Sequence, residues 1–167
     1  MQNLSQSSSD AKNVYCCSLG STDLEEILKI ENEVYTHPWT RGNFLDSFAE
    51  PYEAIGLRSN NGTLVAYFLL MPILDELHLL TFAVHPQYQG QGYARLLLEE
   101  MRRLAKSKNY LSIMLEVRIS NLRARHIYQQ FGFVEIGRRK GYYPVDQLTR
   151  EDAIVMRIAT SDSANLG

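Results

Sequence analysis

The sequence predicts one α/β domain, built on a mixed sheet with helices on both faces. Three observations support this. The chain has 167 residues, 45% of them hydrophobic, which is enough for one globular core. Runs of strand-like apolar residues alternate with segments of helical periodicity. Finally, a Gly-rich turn joins an apolar run directly to an amphipathic segment, as in a parallel strand-helix-strand unit.

The first half of the chain predicts three strands and two helices. Ser21 and Thr22 are capping residues with an acidic residue after them, and Thr40 follows the His37-Pro38-Trp39 break, so two helices are expected, the second ending near Phe48. Asn60-Asn61-Gly62 indicates a hairpin between strands. The three strands are expected at residues 13–19, 54–58 and 63–73.

In the second half, residues 77–84 are almost wholly apolar, which predicts a strand covered on both faces. Apolar residues at helical spacing from Ala94 to Ala105 predict a long helix, and a second helix is expected between Asn121 as N-cap and Gly132 as C-cap. Further strands are expected at residues 113–117, 133–143 and 153–159. The predicted order, β-α-α-β-β-β-α-β-α-β-β, gives a mostly antiparallel sheet with one parallel unit.

Composition limits the setting in which the protein works. Residues 1–12 are polar and Ser-rich, so we expect a disordered tail there, a folded domain over 13–160 and a C-terminal tail over 161–167. Cys16 and Cys17 are adjacent and poorly placed to pair with each other, which favours the reducing cytoplasm. We expect no membrane span and, at a net charge of −2, no general binding of nucleic acid. The basic run at 138–140 is interpreted as a solvated strand end. The oligomeric state is left open, with a monomer as the working expectation.

The Gly-rich turn is the first candidate for chemistry. Free amides and the positive end of the dipole at the start of the next helix would bind a pyrophosphate. The phosphate-loop signature is absent, and Arg95 interrupts the dinucleotide pattern. The pattern [QR]-x-x-G-x-[GA] fits completely, at Gln89, Gly92 and Ala94. On its own this pattern is also compatible with an ordinary strand-to-helix turn.

Several ordered blocks together resemble the GNAT superfamily of N-acetyltransferases, and within it the RimI family of bacterial ribosomal-protein-alanine N-acetyltransferases. They span roughly residues 13–159. The blocks are HPW at 37–39, VHPQYQGQG at 84–92, LEVRISN at 115–121, ARHIYQQFGF at 124–133, GYYP at 141–144 and EDAI at 151–154. One departure is Gly141, where that family usually has Asn.

The resemblance implies acetyl-CoA as cosubstrate and no metal; the four histidines show no metal-ligand spacing. It implies that the strand before the turn pairs with the pantetheine arm, that the turn holds the pyrophosphate and that Asn121, also a simple N-cap, bonds the cofactor. The implied cofactor residues are Phe82, Ala83, Val84, Gln89, Gly90, Gln91, Gly92, Tyr93, Ala94, Arg95 and Asn121, with the Val84 amide as oxyanion donor.

The resemblance also implies a catalytic pair. Glu116 lies in a mostly apolar strand and would serve as general base, although a solvent-facing or paired carboxylate is the alternative. Tyr128 would protonate the CoA sulfur, although its place on the apolar stripe of a helix also fits a core tyrosine. Trp39, Tyr142 and Tyr143 would line the acceptor groove, or else only pack.

The function implied is direct acetyl transfer to the N-terminal α-amine of a protein, most specifically an alanine of a small-subunit ribosomal protein. Two alternatives stay open at this point. One is a GNAT enzyme acting on a small amine, such as a polyamine or an antibiotic. The other is an acyl-CoA-binding module without catalysis, against which the presence of both Glu116 and Tyr128 argues.

Overall fold

The computed structural model describes residues 13–161. The tail expected at 1–12 and all but the first residue of the tail expected at 161–167 lie outside this range. The predicted order of strands and helices is confirmed. The elements are β1 (Val14–Ser18), α1 (Leu24–Val34), α2 (Arg41–Phe48), β2 (Glu53–Ser59), β3 (Leu64–Ile73), β4 (Glu76–Val84), α3 (Tyr93–Ser107), β5 (Ser112–Arg118), α4 (Leu122–Phe131), β6 (Val134–Pro144) and β7 (Arg150–Ala159). Among the described helices, none is long and apolar enough to cross a membrane.

The seven strands form one sheet in the order β1-β2-β3-β4-β5-β7-β6. Within the described sheet, β4 and β5 are the parallel pair and the other neighbours are antiparallel. The predicted mixed, mostly antiparallel sheet is therefore confirmed. A crossover helix is needed to join parallel neighbours, and α3 supplies it between β4 and β5.

Helices cover both faces of the sheet, as predicted. The larger core packs the apolar stripe of α3, including Leu97, Leu98 and Met101, against the inward residues of the strands. The smaller core, on the opposite face, packs α1 and α2 through residues such as Ile27 and Phe44. Because side chains alternate along a strand, β5 contributes every second residue, Ile113, Leu115 and Val117, to the larger core.

β4 is not covered on both faces along its whole length, which corrects the expectation from its apolar sequence. Its second half, Thr81 to Val84, is buried, but His78 and Leu80 are only half-buried. The α1–α2 core reaches Ala83 and stops short of the first half of the strand. A register shift against β3 leaves Leu80 as an extra residue, since Leu69 pairs with Thr81 and Leu70 with Leu79.

The parallel pair opens into a gap. β4 and β5 pair over Glu76–Leu79 and Ser112–Leu115, yet β4 continues to Val84 and β5 to Arg118. Beyond the paired residues the two strands have no ladder between them. The sheet is therefore split at the end where the Gly-rich turn begins, and this split positions the candidate site.

Candidate active site

The Gly-rich turn has the geometry expected of an anion site. After β4, His85 caps a short 3₁₀ turn at Pro86–Tyr88, and its Nδ1 accepts from the Gln87 amide at 3.1 Å. Gly92 is the N-cap of α3 with φ of 86°, a left-handed conformation that glycine adopts without strain. The chain can thus turn sharply and present the first amides of a 15-residue helix to the gap.

A cavity of about 590 Å³ lies beside this turn, between β4, α3 and α4. This size is ordinary for a small-molecule site. Nine of the eleven predicted cofactor residues line the cavity, together with Tyr128 of the predicted catalytic pair: Phe82, Ala83, Val84, Gln89, Gly90, Gly92, Ala94, Arg95, Asn121 and Tyr128. Gln91 and Tyr93 lie outside the lining: Gln91 bonds the Gln87 carbonyl at 3.0 Å, and Tyr93 packs against Tyr88.

The end of β4 presents peptide groups to the cavity. The His85 amide donates to the Val65 carbonyl of β3 at 2.8 Å, so His85 directs its peptide groups toward β3. Successive residues of a strand direct them to opposite edges, so those of Val84 and Phe82 face the edge from which β5 has separated. Two carbonyls on this edge accept side-chain hydrogen bonds: Phe82 from the Tyr35 hydroxyl, and Val84 from Gln89 Nε2 at 3.1 Å.

Among the wall residues that sequence reasoning did not assign to the site, two make hydrogen bonds that support it. Tyr35, just after α1, lines the cavity and bonds the Phe82 carbonyl; desolvation raises the pKa of its hydroxyl well above the ordinary value. Arg123, in the first turn of α4, donates to Gln89 Oε1 at 3.0 Å and joins α4 to the Gly-rich turn. Neither belongs to a motif, and their positions depend on long-range packing.

Tyr128 is buried in the larger core, where α3 and α4 pack on the sheet (the α3–α4 core), and also lines the cavity. Its ring makes edge contacts with Phe82, at 6.0 Å between centroids, and Phe133, at 5.6 Å. Burial raises the pKa of its hydroxyl well above the ordinary value, so the group stays protonated and can donate. Asn121, at the start of the same helix, accepts from the Ala124 amide at 3.1 Å, which makes it an N-cap as well as a wall residue.

Glu116 lies on the other face of the sheet. Its neighbours Leu115 and Val117 belong to the α3–α4 core, so the alternating Glu116 side chain points away from that core. It does not line the cavity; instead it pairs with Arg139 of β6, with Nε 2.9 Å from Oε1. The structure therefore shows Glu116 as a paired carboxylate, which was the alternative to a free general base in the sequence analysis.

Two tyrosines of β6 interact with Glu116, and an arginine of β5 packs on one of them. Tyr142 and Tyr143 contact each other edge to face at 4.9 Å, and Arg118 lies 4.5 Å from the Tyr143 centroid. Burial, together with the negative charge of Glu116, raises the pKa of Tyr143 to about 12. Gly141 has φ of 57°, a conformation that Asn also tolerates, so the departure from the family pattern leaves the backbone before Tyr142 unstrained.

Trp39 lies apart from this cluster. Its ring is half-buried and packs against Phe44 of α2 at 5.3 Å, and its amide donates to Glu31 Oε1 at 3.1 Å. These contacts fix the connection between α1 and α2. Over residues 13–161, no group of three or more His, Cys, Asp or Glu side chains is arranged to hold a metal ion.

Comparison with known proteins shows which family shares this architecture. A sequence model of the acetyltransferase (GNAT) family matches residues 24–133. The ribosomal protein bS18-alanine N-acetyltransferase of Escherichia coli strain K12 is 37% identical over 144 residues, which are 86% of this chain and 96% of that protein. The corresponding Haemophilus influenzae protein is 37% identical over 134 residues, which are 80% of this chain and 90% of its own.

A solved structure agrees with these sequence matches. The crystal structure of the ribosomal-protein-S18-alanine N-acetyltransferase from Escherichia coli superposes with a TM-score of 0.81 at 34% identity, covering 92% of this chain and 98% of that one. The resemblance predicted from the ordered motifs is confirmed. The chain belongs to the acetyltransferase (GNAT) family.

Proposed function

We propose that the enzyme transfers the acetyl group of acetyl-CoA to the α-amine of the N-terminal alanine of a ribosomal protein of the bS18 type. The similarity to enzymes named for that reaction, over most of both chains, supports the acceptor. The acceptor protein is then the partner, and ribosome assembly places the reaction in the cytoplasm. The acceptor is a protein N-terminus, and nothing in the proposal requires contact with RNA.

The cavity suits the cofactor in its chemistry. The free amides at the start of α3, with Gly90, Gly92 and Arg95 in the wall, can hold the pyrophosphate. The open edge of β4 at Phe82 and Val84 can pair with the amides of the pantetheine arm as an added strand does. Asn121 and Gln89 line the same space and offer further hydrogen bonds. No metal is needed for any of these contacts.

The observation that carries the proposed chemistry is the gap between β4 and β5. Tyr128 lies on one side of the sheet and Glu116 on the other, and the gap separates the strands between them. A thioester seated along β4 would be open to the cofactor cavity on one face and to an acceptor on the other. The Val84 N–H, on the same open edge, would donate to the carbonyl oxygen as it gains charge.

Starting from the α-ammonium, the nitrogen must lose two protons and the leaving sulfur must gain one. An N-terminal α-ammonium has a pKa of about 7.7–8.0, so a moderate base such as Glu116 is sufficient to take its proton. The amine nitrogen forms a bond to the thioester carbonyl carbon, the carbon–sulfur bond breaks, and Tyr128 donates its hydroxyl proton to the leaving sulfur. The second proton of the nitrogen passes to solvent as the amide forms, and solvent returns a proton to the Tyr128 oxygen. The products are an N-acetylated peptide and CoA thiol, and no acyl-enzyme is formed.

The acceptor chain would lie along the face that carries Glu116. Tyr142 and Tyr143 frame that carboxylate from β6 and offer aromatic surface to a peptide backbone. Trp39 would contribute indirectly or at the margin, because its ring packs on α2. We therefore assign acceptor binding to Tyr142 and Tyr143 and only a secondary part to Trp39.

The test is release of CoA thiol from acetyl-CoA with three acceptors in parallel. These are a peptide with a free N-terminal alanine followed by basic residues, the same peptide with a blocked N-terminus, and a polyamine. We expect turnover with the free peptide alone. Turnover with the polyamine alone would replace the acceptor, and equal turnover with the blocked peptide would move the reaction to a side-chain amine.

A further inference from the structure

Glu116 and Arg139 form an ion pair whose two partners differ sharply in exposure. The Glu116 side chain is 7% exposed, whereas the Arg139 side chain is 54% exposed. Glu116 is fixed in a central strand, and Arg139 extends from the edge strand β6 into water. One partner is thus held in place while the other is free to change its position at little cost.

The nearly buried carboxylate has need of a cation, because an uncompensated charge of this kind is costly. On β5 and β7, the arginines of the same face are already engaged: Arg118 pairs with Glu151 at 3.0 Å and Arg157 with Glu76 at 2.7 Å. Among the described residues, Arg139 is the cation within ion-pair distance of Glu116.

The remaining groups that face Glu116 are neutral. Desolvation lowers the pKa of His78 on β4, against the opposing effect of Glu116 itself, so its imidazole is uncharged near neutral pH. Burial and the contact with Glu116 raise the pKa of Tyr142, and Tyr143 is likewise protonated. These groups hydrogen-bond or pack, but they do not neutralise the carboxylate.

We propose that Arg139 is a placeholder for the acceptor's N-terminal ammonium, and that acceptor binding exchanges one cation for the other at Glu116. The proposal rests on Glu116 as the base of the proposed function. An α-ammonium and a guanidinium both satisfy a carboxylate, but they cannot occupy the same side of it. Arg139 would keep its contact with Tyr142 after leaving Glu116, since its guanidinium already lies 5.4 Å from the Tyr142 ring centroid.

This exchange makes Arg139 a positioning residue that also selects for charge. A free, protonated N-terminus can replace the guanidinium, whereas a neutral, already acetylated N-terminus cannot. After transfer, the amide product no longer holds Glu116, and Arg139 returns to it. The enzyme would therefore bind its product more weakly than its substrate, which favours release.

β6 supplies a matched control. Arg138, the adjacent residue, also forms an ion pair at 2.9 Å, with Glu135, and is 51% exposed. It resembles Arg139 in distance and exposure but does not contact Glu116. Arg138→Gln therefore removes an equivalent surface pair from the same strand, and Arg139→Lys keeps a cation in the proposed seat.

The experiment measures peptide binding by calorimetry with CoA in place of acetyl-CoA, so that a failure of catalysis does not affect the result. The peptides are one with a free N-terminal alanine and its acetylated form. For Arg139→Gln we expect the free peptide to bind about two- to fivefold more tightly at pH 7, the gain from removing one competing surface pair. We expect unchanged binding of the acetylated peptide, and wild-type values for Arg138→Gln and Arg139→Lys.

Weaker or unchanged binding of the free peptide to Arg139→Gln, or an equal gain for both peptides, would overturn the exchange. So would failure of the wild-type protein to prefer the free peptide.

Discussion

Removal of the Tyr128 hydroxyl separates its place in the core from the proposed role as proton donor. The ring packs edge to face against Phe82 and Phe133, and Tyr128→Phe keeps those contacts. The cost in stability should therefore be about 1 kcal/mol or less. A general acid contributes a factor of about 10²–10⁴ to the rate, or about 2.7–5.5 kcal/mol of barrier. We expect kcat to fall by that factor while the affinity for acetyl-CoA stays within about twofold.

The assay is steady-state release of CoA thiol, with thermal unfolding measured on the same preparations. Tyr110→Phe is the matched control, because Tyr110 packs against the same core but lies outside the cavity wall. The control should keep the wild-type rate. If Tyr128→Phe turns over like the control while remaining folded, Tyr128 is only a core residue and the assignment as acid is wrong.

Three further substitutions test other parts of the account. Glu116→Gln should retain acetyl-CoA binding but lose about 10²-fold or more in kcat; unchanged turnover would remove Glu116 as the base. Asn121→Ala removes the N-cap of α4 and should cost about 0.5–2 kcal/mol in thermal unfolding, and no loss would show that the cap is dispensable. Burial raises the pKa of Glu31, which is 1% exposed, so the folded protein holds that proton more tightly than the unfolded chain. The free energy of unfolding, measured in urea, should therefore fall as the pH rises from the ordinary carboxyl pKa through the raised pKa of Glu31. Glu31→Gln should show a smaller fall over the same pH range. An equal fall in the wild-type protein and the variant would contradict this prediction.

Much of the fold follows from local sequence signals. The helical spacing of Leu97, Leu98 and Met101 predicted α3, and these residues are fully buried. Asn60-Asn61-Gly62 predicted the hairpin between β2 and β3, which the structure contains with Gly62 at a φ of 87°. Capping residues and glycines fix where elements start and stop because they act on their own backbone.

Other features depend on strand partners that a single sequence does not specify. The bulge at Leu80 arises from pairing with β3, and it decides which β4 residues face the cavity. The insertion of β7 between β5 and β6 brings Arg139 across one strand to Glu116. Tyr35 reaches Phe82 from a sequence distance of 47 residues. Each is a long-range contact without a local pattern, so the motifs predicted most of the residues that line the cavity on β4 and the Gly-rich turn but not the contacts that support them.

The Glu31 network illustrates how that support works. Its carboxylate accepts from the Trp39 amide at 3.1 Å and from Thr81 Oγ1 at 3.1 Å, and it also bonds the Tyr67 hydroxyl. These bonds join the α1–α2 connection to β3 and β4 just before Phe82. The polar groups are buried together and satisfied, so the network holds the end of β4 in one position beneath the cavity.

The central claim is that the acetyl group is placed on the α-amine of an N-terminal alanine. The most direct measurement is fragment mass spectrometry of purified bS18 with a free N-terminal alanine, after incubation with the enzyme and acetyl-CoA. We expect one acetyl group, located on the first residue, with the lysine side chains unmodified. An acetyl group found only on lysine, or none while a polyamine is acetylated under the same conditions, would contradict it.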